Sequence, residues 1–160
     1  MKFTVFNIGH ELFGIDISRV FEILRIQKIF TIPGLPEFLS GVMSVRGAVI
    51  PVMDLRRRFG LQPAGRKERI ILVRYGREKI GFLVDEVREI MVLEQDEIKP
   101  SPSIFKGFRM EYLTGLGKKG DAIILILNID NLLTSEEKIW LQEAKGLLEE
   151  KSAGPGKTAE

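Results

Sequence analysis

Three groups of residues in this 160-residue chain have the types and spacing that chemistry requires. Gly115, Gly117 and Gly120 match a dinucleotide-binding fingerprint by letter. That motif works only where a helix opens at the glycines and aims its N–H groups at a pyrophosphate. Here the glycines run into Ala122–Leu127 (AIILIL), a strand pattern, so the spacing predicts a hairpin turn. Arg56, Arg57 and Arg58 with Arg66, Lys67 and Arg69 form the one basic cluster, of a kind that contacts phosphate. No aromatic residue is interleaved to stack on bases, which favours a solvated helix face and leaves single-stranded nucleic-acid binding as a distant alternative. Asp16, Asp54, Asp85 and Asp130 each close a strand or open a helical turn, the place of a cap rather than of an acid–base pair. His10, the only histidine, stands in a turn, and there is no cysteine to supply a thiolate, a disulfide or a zinc ligand. With no nucleophile–base pair, metal cluster or valid phosphate loop, we expect no enzyme, no cofactor and no metal, and binding becomes the leading expectation.

Composition agrees. A hydrophobic fraction of 44% beside 29% charged residues is that of a soluble globular protein, and a formal charge of +2 is too small to argue for nucleic acid. The longest apolar run, Ile123–Leu127, is too short to cross a bilayer. The start, Met1-Lys2-Phe3-Thr4, goes straight into a strand pattern, so no signal peptide and a cytoplasmic location are expected.

The elements that would position a binding surface repeat. Shifted by 67, Gly9, Glu11, Gly14, Val20, Glu22 and Ile23 fall on Gly76, Glu78, Gly81, Val87, Glu89 and Ile90. A shift of 74 then places Gly41 on Gly115 and Val49–Leu55 on 123–129. Each unit reads as a hairpin (3–16 and 69–84), a helical turn (17–24 and 85–88) and a second hairpin (41–54 and 112–129). In the second unit a strand over 89–93 and a longer loop over 94–109 separate the helical turn from the hairpin. Pro51 suggests an edge or a bulge, and 62–68 (QPAGRKE) is a polar seam. Thr134 with Glu137 forms a capping box for a last helix, whose Trp140, Ala144, Leu147 and Leu148 make an apolar stripe. Short strands at hairpin spacing without a βαβ rhythm predict a mainly β, all-β fold of two packed small antiparallel barrels. The expected layout is one domain over 1–151: repeat 1 at about 3–60, a seam at 61–68, repeat 2 at 69–133, a helix at 135–151, and a disordered tail over 152–160.

Two copies of Val-x-Glu-Ile, Val20–Ile23 and Val87–Ile90, would meet across the seam between two such halves. A seam of Val and Ile rimmed by Glu22, Glu89 and Arg46 suits an amphipathic helix laid into a groove. Arg46 stands out because it sits at a hairpin turn beside Gly47, where a structural arginine has little to do.

At these residues the chain resembles the CheW family, the coupling proteins of bacterial chemotaxis, over about residues 3–145. The resemblance is carried by Phe13-Gly14-Ile15-Asp16-Ile17, Val20-x-Glu22-Ile23, Gly41–Gly47 (GVMSVRG), Val49–Leu55 (VIPVMDL), Gly81–Asp85 (GFLVD) and Glu111–Gly117 (EYLTGLG), in order. The family's Asn-Leu-Arg-Gly stands here as Ser44-Val45-Arg46-Gly47, keeping the arginine and glycine. The resemblance implies two SH3-like five-stranded barrels and a non-enzymatic adaptor joining chemoreceptors to the histidine kinase CheA. It places the receptor's cytoplasmic hairpin tip between the barrels, on Val20, Ile23, Arg46, Val87 and Ile90 with Glu22 and Gly41 nearby. The kinase's regulatory domain is expected to join barrel to barrel, through residues the resemblance does not assign. A coupling protein of another chemosensory system, such as pilus motility, is the alternative within the same class.

Overall fold

The computed structural model describes residues 1–100 and 110–152, apart from the side chains of Met110 and of residues 145–152. Its strands are β1 (Lys2–Ile8), β2 (Glu11–Asp16), β3 (Val20–Arg25), β4 (Gly41–Val45), β5 (Ala48–Asp54), β6 (Arg69–Tyr75), β7 (Glu78–Val84), β8 (Val87–Val92), β9 (Ile98–Lys99), β10 (Leu113–Lys119) and β11 (Ala122–Leu127). The helices are α1 (Leu55–Phe59) and α2 (Ser135–Ser152).

These strands make two sheets, in the orders β8-β1-β2-β11-β10-β9 and β3-β6-β7-β5-β4. Mainly β architecture is as the sequence predicts, but neither sheet belongs to one repeat. The first takes β1 and β2 from repeat 1 and its other strands from repeat 2; the second takes β6 and β7 from repeat 2 and its other strands from repeat 1. The expectation of one barrel per repeat is thereby corrected. Every seam between repeats is itself a hydrogen-bonded ladder, and the two copies agree in register. Val5 lies opposite Glu89 across β1/β8, and the equivalent Leu72 lies opposite Glu22 across β6/β3. Both ladders carry a bulge at the same place, at Val5/Phe6 against β8 and at Val20/Glu22 against β6. Gly14 opposes Ile126 in β2/β11, and Gly81 opposes Val52 in β7/β5. These last two ladders are parallel, so the expected all-antiparallel pattern holds only inside each repeat. The expected five strands are found in one sheet; the other gains a sixth, the two-residue β9.

Alternation along the strands explains the core. In β6, Ile71 and Val73 enter a central cluster while Ile70 and Leu72 enter the interior of their own barrel. In β1, Phe6 and Ile8 face the central cluster while Phe3 and Val5 fill the other barrel. The first hairpin of each repeat is therefore apolar on both faces, unlike a strand with one wet side. At Gly14 and Gly81 the parallel ladders leave no room for a side chain. A Cβ at Gly81 would stand 2.9 Å from Ile70 Cγ2 and 3.0 Å from Met43 Cε, and one at Gly14 would stand 3.1 Å from Ile124 Cγ2.

Three local expectations give way to this topology. Residues 17–24 carry a helical spacing, yet only Ile17–Arg19 forms a 3-10 turn, capped by Asp16 accepting from Ser18 N, before the chain becomes β3. Pairing with β6 overrides the local period, which β-branched and aromatic residues satisfy in a strand as well. Residues 85–88 form no helical turn either; Asp85 N donates to Asn7 O and β8 begins at Val87. Pro51 lies in an inner strand, tolerated because the β5/β7 pairing starts only at Val52. The Thr134–Glu137 capping box is present, and Trp140 packs edge-on against Phe38. The part of the expected loop that falls on 101–109 and the tail from 153 lie outside the described residues, as do the side chains of Leu147 and Leu148.

A buried ionic knot ties the repeats where the seam crosses them. Arg56 on α1 donates to Asp54 (2.9 and 3.1 Å), Glu68 and Asp85 (2.9 Å), and Asp85 Oδ2 also accepts from Gly9 N (2.7 Å) and Ala64 N (3.1 Å). Burial alone would raise the Asp85 carboxyl; the Ala64 and Gly9 N–H groups and Arg56 outweigh it and hold the carboxyl below its ordinary range. A folded value below the unfolded 3.8 means that this stabilisation is complete at neutral pH and lost as pH falls through the folded value.

Two outcomes follow for unfolding experiments. Asp85→Asn should cost about 3 kcal/mol at pH 7, because it strips one carboxylate from a buried arginine, and should flatten the acid limb of stability when urea unfolding is repeated toward pH 3. Fragments 1–64 and 65–160 should each be unfolded alone by circular dichroism and recover the β signal only when mixed, since each lacks the strands that complete its sheets.

Candidate docking surface

The two Val-x-Glu-Ile copies lie on β3 and β8, the third strand of each repeat and an edge strand of each sheet. Edge strands present unpaired backbone and side chains to a partner. Val20 and Val87 are each half-buried and pack against the central cluster. Ile23 and Ile90 are exposed, at 42% and 57% of their surface. Large apolar side chains at such exposure on edge strands, with Phe21 and Val92 beside them in sequence at 39% and 44%, are the kind of surface that marks an interaction site.

Arg46 reaches this strand from another element. β4 and β5 are joined by Arg46-Gly47 with φ of 47° and 85°, both left-handed. Two residues with positive φ make the type I′ hairpin turn, which favours Asn-Gly and disfavours a long side chain at its first position. The guanidinium donates to both carboxylate oxygens of Glu22 on β3, at 3.2 Å to Oε2 and closer still to Oε1. This bond, with the charge of Arg46, holds the Glu22 carboxyl below its ordinary range. Both groups face water, so a partner's carboxylate or ammonium can compete for either one.

Gly41 is of a different kind. It is buried, and a Cβ there would stand 2.5 Å from Phe30 O, where the chain after β3 bridges back to β4 at Val42. Its part is to let these backbones touch and so to hold the Arg46 hairpin in place. Glu89 is exposed on β8. One residue the sequence reading passed over is Phe21, which sits in the β3 bulge with Lys79 Nζ 3.4 Å and Arg74 5.1 Å from its ring centre. Its repeat counterpart is Arg88, so the repeat comparison discards it; the signal for it is the bulge, which sequence does not show.

Nothing in the arrangement favours chemistry. Among the described residues no group of three or more His, Cys, Asp or Glu could hold a metal, and no helix is long and apolar enough to cross a membrane. The glycines at 115, 117 and 120 form the β10/β11 hairpin, as predicted. The basic cluster is not a continuous patch: Arg56 is buried in the knot, Arg58 bonds Glu137 at 2.8 Å and faces Phe38, and Arg57 is exposed. Two of its six cations are thus engaged by carboxylates, while Arg57, Arg66 and Lys67 remain exposed.

The turn geometry gives a direct check on whether Arg46 serves the fold. Arg46→Gly should melt at or above the wild-type temperature, because glycine relieves the left-handed backbone and only an exposed ion pair is lost. A clear drop in scanning calorimetry would make Arg46 a structural residue.

Comparison with known proteins points the same way as the geometry. The CheW-like domain model matches residues 2–137. The chemotaxis protein CheW of Klebsiella aerogenes is 36% identical over 138 residues, covering 85% of this chain and 83% of that protein. CheW of Treponema pallidum is 28% identical over 142 residues, covering 85% and 84%. The crystal structure of the scaffolding protein TtCheW from Thermoanaerobacter tengcongensis superimposes with a TM-score of 0.77 at 35% identity, covering 85% of this chain and 89% of that one. A doubly repeated β fold whose sheets each draw strands from both repeats thus has its relatives among chemotaxis proteins and a scaffolding protein, and the chain belongs to the CheW family of chemotaxis proteins.

Proposed function

We propose that this protein couples a chemoreceptor to the histidine kinase CheA, and that the receptor's cytoplasmic hairpin tip docks on β3 and β8. The observation that carries the site is Arg46: a long cation at a turn position that disfavours it, aimed at Glu22 beside exposed Ile23. A side chain kept where its backbone is strained points to a role outside the fold. Val20 and Val87 supply the apolar floor, Ile23 and Ile90 the exposed anchors, and the Arg46–Glu22 pair a polar rim that fixes the register of an incoming helix. The kinase's regulatory domain joins elsewhere, barrel to barrel, so that both partners are held at once on the cytoplasmic side of the receptor. The scaffold performs no chemistry; it transmits receptor motion as a change in kinase geometry.

Titration of wild type and variants with a receptor signalling-tip fragment, and separately with the kinase regulatory domain, tests this. Arg46→Glu and Ile90→Arg should each weaken receptor binding at least tenfold, as expected for an anchor of such an interface, with melting temperature and kinase binding unchanged. Val87→Arg should lose stability as well, because Val87 is half-buried on the central cluster. Unchanged receptor binding in Arg46→Glu and Ile90→Arg would remove β3 and β8 from the interface.

A further inference from the structure

We infer that a second copy of this chain is a partner too, engaged by exchanging repeats: repeat 1 of one molecule completes the two sheets with repeat 2 of another, hinged at residues 61–68. The inference rests on where the ladders run. Four of them, β1/β8, β2/β11, β3/β6 and β5/β7, join one repeat to the other. None requires that both repeats come from one chain. The two sets of ladders match in register and bulge, so each repeat is already shaped as the complement of the other.

The connection between them is short and mostly exposed. Gln62, Pro63, Gly65, Arg66 and Lys67 are exposed, and the seam is fixed mainly by Leu61 N to Arg56 O (2.9 Å), Ala64 N to Asp85, and Glu68 to Arg56. Lys67 adopts φ of 51°, a left-handed backbone disfavoured for a non-glycine residue, and it does so within the connection that exchange re-routes. Exchange preserves every ladder and releases that conformation, which is the circumstance in which a hinge loop favours swapping. A short linker holds its two ends at an effective concentration of about millimolar. The closed monomer therefore prevails in dilute solution, and the exchanged dimer forms as the chain concentration approaches that range. Opening breaks four ladders together, so the two forms interconvert slowly once folded. Each body of the dimer keeps one β3 and one β8, taken from different chains, so the dimer carries two complete docking surfaces.

The chain has no cysteine, which makes the test clean. Phe3 and Met91 are partners across β1/β8, both inside one barrel. One full-length chain carries Phe3→Cys only and a second carries Met91→Cys only; they are refolded together at rising concentration, diluted and oxidised. In closed monomers the two thiols are packed inside separate molecules. The expected result is a covalent dimer at twice 18.1 kDa, linked through positions 3 and 91, whose yield rises with refolding concentration. Leu24→Cys with Ile70→Cys, the equivalent partners across β3/β6, gives the same test should the first pair fold poorly. A single chain carrying both cysteines of a pair must close its internal bridge, which shows that the pair can bond. Complete internal closure in that chain, with no covalent dimer from either mixture at any concentration, would overturn the inference.

Discussion

The constraint on which everything else depends is that neither repeat can satisfy its own first hairpin. In β1–β2 and β6–β7 both faces are apolar, one toward a barrel interior and one toward the central cluster, and each hairpin finds its sheet neighbours in the other repeat. Burial of two-faced strands is a strong driving force, and main-chain ladders make it directional. The halves therefore interlock rather than merely touch. This is why the seam between repeats is so closely packed, and why glycines stand at 14 and 81, where a methyl group would press on Ile124 in one copy and on Ile70 and Met43 in the other.

The candidate surface is a by-product of that interlock. Each sheet ends on the third strand of the opposite repeat, so β3 and β8 become edges, bulged alike and floored by the same cluster. On this symmetric base the protein lays asymmetric chemistry. Phe21 sits where Arg88 sits in the other copy; β3 is met by Arg46 pairing with the Glu22 side chain, whereas β8 is met by Lys119 donating to the Val92 carbonyl. Differences of this kind between two similar edges are what lets a pseudo-symmetric surface discriminate among partners.

Much of this was legible in the chain. The Gly9 and Gly76 turns, the Arg46-Gly47 hairpin, the strands around them and the Thr134–Glu137 cap are local signals, and all appear where the residues place them. The strand exchange was not legible. A repeat reports that two units are alike, and pairing within each repeat and reciprocal pairing between them bury the same residues. The misread helix over 17–24 has the same origin: Ile17, Val20, Phe21 and Leu24 satisfy a helical period, and the ladder that makes the segment a strand lies about fifty residues away in β6. Arg46 was found by its place in a turn, whereas its contact with Glu22 required the fold.

The most direct measurement of the account is hydrogen exchange on this protein alone, with the receptor hairpin fragment, and with the fragment and the kinase regulatory domain together. Receptor addition should slow exchange in residues 20–25, 45–48 and 87–92, and the kinase domain should add a separate protected region without erasing the first. Receptor protection confined to other segments, or displaced by the kinase domain, would contradict a scaffold that holds both partners at once.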